Sequence, residues 1–474
     1  MGLDRSSQRR TLTALMAALA MTLAAAAEAQ ALPRRPDVVL IVTDDQRPDT
    51  LDWMPIVQRR VVERGRRFSN GMVPTSVCCP SRASILTGLF AHSTQVWSNG
   101  RNADIDGTGG WQAFAAAGME DRTIAVELQA SGYQTVLVGK YLNRYDASPE
   151  GYVPPGWTSW HAFAGTNGDY YDYDIRHTDG STTSFGHRDE DYSTDVLLRY
   201  ALRELRTARP DRPLFLMFTP FGVHDRLPQP APRHVGTATV GPYQAPGVNE
   251  ADVTDKPAWI ATLPTISPRR LTRESRRTQE TLFSIDEAVG RLLDLIHDRR
   301  RLRNTLVIVT SDNGTFWGEH RLGGKYMPYD GATRVPLAMR WSGRLQAGTL
   351  DRRLALNLDI TTTIASAARL DSFAADGLSL LAADRRDGFV LEAGATSGDD
   401  GNGQKVARPG YCGFRTRRFL FVRYSGGLEE LYDYRRDPWE LENVAGLAAY
   451  ADRLAMLRDR ADADCRPRPP GYDW

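Results

Sequence analysis

The sequence predicts an α/β protein: a large, mostly parallel sheet sandwiched by helices, with a smaller α+β domain at the carboxyl end. Three features predict it. Continuous apolar runs of strand length alternate with longer amphipathic patterns of helical period, the mark of crossover units. Each apolar run is followed closely by polar residues able to do chemistry. Beyond residue 386 the long helical patterns give way to short strand-like runs and one closing helix.

The first buried strand, Val38-Val39-Leu40-Ile41-Val42, is apolar on both faces, as a strand covered by helices on each side must be, and runs into Asp44-Asp45. Thr135-Val136-Leu137-Val138 leads to Lys140, Leu214-Phe215-Leu216-Met217-Phe218 to His224, and Leu306-Val307-Ile308-Val309 to Asp312-Asn313. Between them, residues 194–206 place Val196, Leu197, Tyr200, Ala201 and Leu205 on one helical face, and residues 273–297 repeat the pattern. Ligands of open α/β sheets gather beyond the carboxyl ends of the strands, so these four segments are expected to converge on one pocket. Residues 145–191 and 225–270 read as surface excursions able to line a cleft. Within the first, Trp157, Trp160, Tyr170, Tyr171 and Tyr173 suit either sugar stacking or a core. Phe419-Leu420-Phe421-Val422-Arg423-Tyr424 and Glu430-Leu431-Tyr432-Asp433 read as antiparallel strands, closed by a helix at 447–462. The expected divisions are a leader at 1–31, a catalytic domain at 36–385 and a smaller domain at 386–474.

The 59 Lys and Arg nearly cancel the 58 Asp and Glu, so no global field draws nucleic acid or an anionic membrane. Any anion must be recognised by a few placed cations. Residues 1–31 read as a signal peptide: Arg5, Arg9 and Arg10 precede an apolar run over 12–27, and Ala27-Glu28-Ala29 and Ala29-Gln30-Ala31 offer small-x-small cleavage sites. A membrane anchor is the competing reading, disfavoured because alanine makes the run weakly hydrophobic. Arg9-Arg10 fits twin-arginine export loosely. The mature chain is therefore expected to be exported, periplasmic or secreted, with no stable membrane span. Of four cysteines, Cys78 and Cys79 are neighbours, where a bridge would strain the backbone, while Cys412 and Cys465 can form a disulfide in an oxidising compartment.

Adjacent carboxylates such as Asp44-Asp45 repel one another unless a cation neutralises them. Asp312-Asn313-Gly314, at an equivalent strand end, adds hard oxygens with a glycine to turn on; together they suit Ca²⁺, or Mg²⁺, rather than zinc. Taken singly, each is an ordinary turn. The decisive stretch is Cys78-Cys79-Pro80-Ser81-Arg82-Ala83-Ser84-Ile85-Leu86-Thr87-Gly88. It resembles the signature of the type I, formylglycine-dependent sulfatases: C-x-P-S-R, a short helix and L-T-G. The resemblance extends over nearly all the mature chain. It takes in Gly132-Tyr133-Gln134-Thr135 through Gly139-Lys140-Tyr141-Leu142-Asn143, then His224, Gly318-Glu319-His320 through Lys325, and Leu431-Tyr432-Asp433. Within the family, Lys140-Tyr141-Leu142-Asn143 and the Tyr/Trp-rich stretch after it are most similar to the N-acetylglucosamine-6-sulfatase-like group.

The resemblance implies an alkaline-phosphatase-like fold and hydrolysis of sulfate esters. It implies that Cys78, not Cys79, is oxidised to formylglycine (3-oxoalanine) by a formylglycine-generating enzyme. It implies a divalent cation, Ca²⁺ or Mg²⁺, held by Asp44, Asp45, Asp312, Asn313 and residue 78. In the same reading Arg82 hydrogen-bonds the nucleophile and the metal shell, Lys140 and Lys325 hold sulfate oxygens, and His224 binds sulfate or protonates the leaving alcohol. One geminal hydroxyl of hydrated formylglycine attacks sulfur, and the other lets the product collapse with release of sulfate. The implied substrate is a sulfated carbohydrate such as 6-sulfated N-acetylglucosamine, with aryl sulfates as surrogates. One departure stands out: Leu142 occupies a position where many sulfatases carry a histidine, leaving Asn143 and His92 as candidate replacements. Glu319 and His320 read as supporting residues. Two other functions compete: a phosphodiester or phosphonate monoester hydrolase of the same superfamily, and a non-catalytic binder of sulfated glycan.

Overall fold

The apolar runs become the middle of one broad sheet in the computed structural model, which describes residues 34–100, 108–165, 168–224, 227–370, 373–399 and 405–473. The expected leader at 1–31 lies outside the described residues, as does part of the glycine-rich turn near 400. In chain order the strands are β1 (Asp37–Thr43), β2 (Arg66–Met72), β3 (Gln134–Gly139), β4 (Ser159–Phe163), β5 (Tyr173–His177), β6 (Thr182–Phe185), β7 (Leu214–Thr219), β8 (Thr305–Ser311), β9 (Phe316–Trp317), β10 (Gly323–Gly324), β11 (Leu337–Arg340) and β12 (Thr349–Leu356). All but β9 and β10 form a ten-stranded sheet in the order β12-β2-β11-β8-β1-β7-β3-β4-β5-β6. Its centre, β8-β1-β7-β3-β4, is wholly parallel.

Register decides what the sheet presents. Thr43 of β1 pairs with Ser311 of β8, and Gly139 of β3 with Thr219 of β7. Asp44, Asp312 and Lys140 are the next residues along their chains, so they leave the sheet at one edge. The five main helices are α1 (Cys78–Thr87), α2 (Ser193–Thr207), α3 (Pro268–Asp298), α4 (Asn357–Ala368) and α5 (Ala451–Asp464). Alternate residues of β1 feed two separate cores, as a period of two requires. Val38, Leu40 and Val42 pack with Ala83, Ile85 and Leu86 of α1 and with Ile360 and Ile364 of α4. Val39 and Ile41 pack with Val196 and Leu197 of α2 and with Leu282, Ile285 and Val289 of α3. Burying each such aliphatic side chain contributes roughly 1.5–3 kcal/mol, which holds the strand ends in place for the loops beyond them.

Two expectations need revision. Helix α3 starts at Pro268, five residues before the apolar periodicity begins, because the Ser267 side chain caps the Arg270 N–H and proline suits the first turn. The stretch 145–191 is only partly an excursion: β4 pairs parallel with β3 and widens the sheet, and β5 and β6 follow antiparallel. Trp157, Trp160, Tyr170 and Tyr173 are core residues, so these four do not face a sugar. These strands carry Thr, His and Arg between their apolar positions, and so lack the continuous apolar run that marks the central ones.

The remaining strands are β13 (Gly388–Ala393), β14 (Thr396–Asp399), β15 (Lys405–Arg408), β16 (Tyr411–Thr416), β17 (Phe419–Tyr424) and β18 (Glu429–Asp433). Four of them make an antiparallel sheet, β13-β16-β17-β18. One face, with Phe414, Phe421 and Leu431, packs under Leu457 and Ala461 of α5. The other, with Leu391, Leu420, Val422 and Tyr432, packs on Met72, Phe316, Met327 and Tyr329. The smaller sheet thus shares a core with the segment around Lys325. Cys412 and Cys465 form a disulfide, Cα atoms 6.3 Å apart, tying β16 to the end of α5. Among the described residues no helix is long and apolar enough to cross a membrane.

Candidate active site

The turn after β1 is welded to both neighbouring strand ends. The Asp44 N–H donates to Gly222 O (3.2 Å) and its carbonyl accepts from Val223 N (2.9 Å) beyond β7, while Asp312 N donates to Thr43 O (3.1 Å). Asp45 sits at φ 58°, a left-handed conformation that Asp tolerates better than most residues. Its N–H donates to Asp312 Oδ1 (3.2 Å), and Gln46 N donates to Ser311 Oγ (2.9 Å). Gly314 was expected to serve a sharp turn; what requires glycine there is close approach, since a Cβ would lie 2.5 Å from Gly331 O. Gly139 has both reasons, with φ 120° and Thr219 O only 2.0 Å from where a Cβ would stand.

Cys78 is the first residue of α1 and Pro80 lies in its first turn, where the missing N–H loses no helical bond. The Cys79 N–H is taken instead by Asn99 Oδ1 (2.9 Å). Arg82 follows Cys78 by four residues and so shares its helical face. Its guanidinium, fully buried, reaches Asp312 Oδ2 (2.7 Å), Asp44 Oδ2 (3.1 Å) and the Lys140 carbonyl (3.0 Å). Ser81 donates to the Asp312 carbonyl and accepts from Asn357 Nδ2 (2.8 Å) of α4. Asn99 and Asn357 were not singled out in the sequence, and Ser81 was read only as a letter of the signature. Each acts on a partner at least 20 residues away, so no local spacing marks it.

The predicted site residues converge. Cys78 Sγ lies 3.6 Å from Asp44 Oδ1 and 2.6 Å from Lys325 Nζ. Lys325 Nζ is 2.5 Å from Asp45 Oδ1, Lys140 Nζ is 2.5 Å from Asp44 Oδ2, and Asn313 Nδ2 donates to Asp45 Oδ1 (2.6 Å). Asp44, Cys78 and His224 offer ligand atoms all within 4.8 Å of one another. Three buried carboxylates (Asp44, Asp45, Asp312) therefore face three buried cations (Arg82, Lys140, Lys325). Burial opposes ionisation of Asp44, but Lys140, His224, Arg82 and Lys325 outweigh it and hold its carboxyl well below the usual range. Burial, reinforced by Asp44, pushes Asp312 upward. Burial works against a charged Lys325 too, yet Asp45, residue 78 and Asp44 keep it firmly protonated. Burial pushes the Cys79 thiol up to about 12, so Cys79 is an inert core thiol, packed among Ala83 and Leu86.

The candidate replacements for a histidine at Leu142 have other partners. The His92 ring is committed to Glu392 (Nδ1 to Oε2, 2.9 Å), and the Asn143 backbone N–H faces the Cys79 thiol. Glu319 pairs with Arg47 (2.9 Å), two residues beyond Asp45, and His320 with Glu250 (2.6 Å).

The donor set fits a hard divalent cation. Asp44, Asp45, Cys78 and Asp312 offer ligand atoms within 4.8 Å of one another, all buried, and Asn313 Oδ1 is buried with no hydrogen-bond partner among the described residues. A buried amide oxygen without a donor is costly unless a cation takes it, and a set dominated by oxygen suits Ca²⁺ or Mg²⁺.

Comparison with known proteins gives the geometry its family. The sulfatase family model matches residues 36–370, and the carboxyl-terminal model of N-sulphoglucosamine sulphohydrolase matches residues 318–464. A putative extracellular sulfatase Sulf-1 homolog of Caenorhabditis elegans is 34% identical over 342 residues, covering 69% of this chain and 46% of its own; the chain spans less than half of that relative. The N-acetylglucosamine-6-sulfatase of Capra hircus is 31% identical over 503 residues, covering 93% of this chain and 87% of its own. A solved structure in complex with its substrate, D-glucosamine-2-N,6-O-disulfate, superposes with a TM-score of 0.73 at 23% identity, covering 91% of this chain and 98% of that one. That likeness establishes the alkaline-phosphatase-like fold. With two thirds of its length matched by the family model, and its signature cysteine set against paired aspartates at the carboxyl ends of a parallel sheet, this chain belongs to the sulfatase family.

Proposed function

We propose that this protein hydrolyses sulfate esters on a sulfated carbohydrate, with residue 78 as the nucleophile after its conversion to formylglycine by a maturation enzyme. The observation that carries the reading is the placement of Cys78. It stands at the positive end of a ten-residue helix, 2.6 Å from the Lys325 ammonium and within ligand distance of three carboxylates. Asp44, Asp45, Asp312, Asn313 and residue 78 would hold the divalent cation. Together the cation and the aldehyde hydrate would supply a hydroxyl acidic enough to attack near neutral pH.

The chain's other groups have work of their own. Arg82 braces Asp44 against Asp312, so the two carboxylates keep one orientation through turnover. Lys140 and Lys325 carry single ammonium groups on flexible stems. They can swing from the aspartates they touch here to the oxygens of a sulfate, neutralising the charge that shields sulfur. His224, beside Asp44 and residue 78, stands where it can bind an oxygen of the ester or give a proton to the departing alcohol.

The relatives named as N-acetylglucosamine-6-sulfatases support 6-sulfated N-acetylglucosamine as the natural substrate unit. The leader expected from the sequence at residues 1–31 and a relative named as extracellular support export. No nucleic-acid partner is proposed, because charge is balanced over the chain. The test is a panel: an aryl sulfate, 6-sulfated N-acetylglucosamine, and matched phosphodiester and phosphonate esters, assayed on protein whose intact mass reports the state of residue 78. Turnover of sulfate esters only where the thiol has been replaced, and its loss in Cys78→Ala but not Cys79→Ala, supports the reading. Faster turnover of phosphonate or phosphodiester, full activity with an unmodified thiol, or tight glycan binding without turnover by modified protein would each sink it.

A further inference from the structure

Lys325 sits in the middle of a loop whose two ends meet at one carboxylate. It immediately follows β10, which pairs with β9 through Trp317↔Gly323 and Phe316↔Gly324. At the tip of that hairpin His320 and Arg321 both adopt left-handed backbone, φ 52° and 61°, which non-glycine residues hold only under restraint. The restraint comes from the neighbouring segment. His320 N donates to Gly247 O (2.8 Å), Asn249 N to Gly318 O (2.7 Å), and the Arg321 guanidinium to Glu250 O (2.9 Å) and Ala251 O (2.8 Å).

The His320 ring completes the fastening. It is 1% exposed, with Nδ1 2.6 Å from Glu250 Oε2 and Nε2 3.7 Å from Glu440 Oε2. Glu440, from the carboxyl-terminal domain, also accepts the Asp330 N–H (3.0 Å) and the Tyr434 hydroxyl (2.5 Å). Residues 320 and 330 are therefore pinned to the same carboxylate, with Lys325 midway between them. We propose that His320, clasped between Glu250 and Glu440, is a positioning residue that sets the Lys325 ammonium beside residue 78, a role that rests on the sulfatase reading above. A neutral ring can donate to Glu250 but carries no charge for Glu440; an imidazolium donates to Glu250 and forms an ion pair with Glu440 across 3.7 Å.

The surroundings keep the ring charged. Glu250 and Glu440 face it directly, the Tyr329 ring lies 4.7 Å away, and Lys256 (3.5 Å from Glu250), Asp330 and Glu430 stand behind them. Glu319, its neighbour in the chain, is turned to Arg47. Burial opposes the charge, but the hydrogen bond to Glu250 and the negative charge of Glu440 push the pKa up to about 9. The clasp is thus intact at neutral pH and loosens as pH rises through that value.

The test is a double-mutant cycle on the full-length, metal-loaded, modified protein, read in kcat/KM for an aryl sulfate and in affinity for inorganic sulfate. His320→Gln is expected to lower kcat/KM about 100-fold, as misplacing one catalytic group by an ångström does, and to remove an alkaline decline near pH 9. On a Lys325→Ala background the same change should add less than about 2-fold, because it acts through the lysine. Glu440→Gln in the same cycle decides the matter if His320→Gln does not fold. Independent, multiplying losses on the Lys325→Ala background would overturn the proposal, as would an unchanged alkaline limb. If the unsubstituted protein turns over no sulfate ester, the sulfatase reading fails by itself. The cycle is then read in sulfate affinity, where absence of coupling overturns the clasp.

Discussion

Arg82 is the cation whose removal the site should feel most. Replacing it with methionine keeps most of the volume and deletes the charge, leaving Asp44, Asp45 and Asp312 to face Lys140, Lys325 and His224 with one buried cation fewer. Its two contacts with carboxylate oxygens, 2.7 and 3.1 Å, carry gross attractions of about 6 and about 5 kcal/mol at an effective dielectric of 20. The desolvation of a guanidinium that is itself fully buried offsets much of that sum. Breaking a buried pair from one side nonetheless leaves a bare charge, and the net loss is expected to be about 3–5 kcal/mol. Urea unfolding of Arg82→Met and the unsubstituted protein in chelator, followed by circular dichroism, measures it directly. Added Ca²⁺ should narrow the gap, since the ion restores positive charge among the same oxygens; saturation at 100 times its Kd contributes about 2.7 kcal/mol to whichever form binds. Arg82→Lys, which keeps the charge but not the planar fork, should fall between the two. A difference below about 1 kcal/mol in chelator, or a gap that widens with Ca²⁺, would refute the view that Arg82 balances buried carboxylates.

Two further outcomes follow from the carboxyl-terminal domain. Reducing the Cys412–Cys465 disulfide, which closes a separation of 53 residues, should destabilise the fold by about 4 kcal/mol, read as a lowered urea midpoint in reductant; an unchanged midpoint with the bond demonstrably reduced would contradict this. Glu430 is fully buried beneath the hydroxyls of Tyr329 and Tyr424, and burial pushes its pKa up to about 7 from 4.5. A group with a raised folded pKa stabilises fully below its unfolded value and loses that contribution as pH rises through the folded one. Between about pH 4.5 and 7 the protein should therefore lose roughly 3 kcal/mol relative to Glu430→Gln, and parallel stability curves for the two proteins would show that Glu430 does not titrate as argued.

Much of the centre was legible because buried parallel strands announce themselves. β1, β3, β7 and β8 are continuous apolar runs, and a run's end is where a side chain leaves the sheet. Asp44, Asp45, Lys140, Asp312 and Asn313 could be named for that reason, and Cys78 and Arg82 because the eleven-residue stretch that holds them resembles the sulfatase signature. β4 to β6 were missed as sheet, and their aromatic residues left undecided, because short strands with mixed faces carry no comparable pattern.

The sequence by itself determined which chemical groups stand at the strand ends and at the first turn of α1, since local periodicity and one eleven-residue signature set both. Only the tertiary structure decided who touches whom. It put Lys325 on the sulfur of Cys78, closed Asn99 over the first turn of α1 and Asn357 over Ser81, and brought Glu250 and Glu440 from distant segments onto His320. The physical reason is that a hydrogen bond or ion pair between residues far apart in the chain depends on packing, strand register and loop path together, and none of these leaves a mark in local spacing.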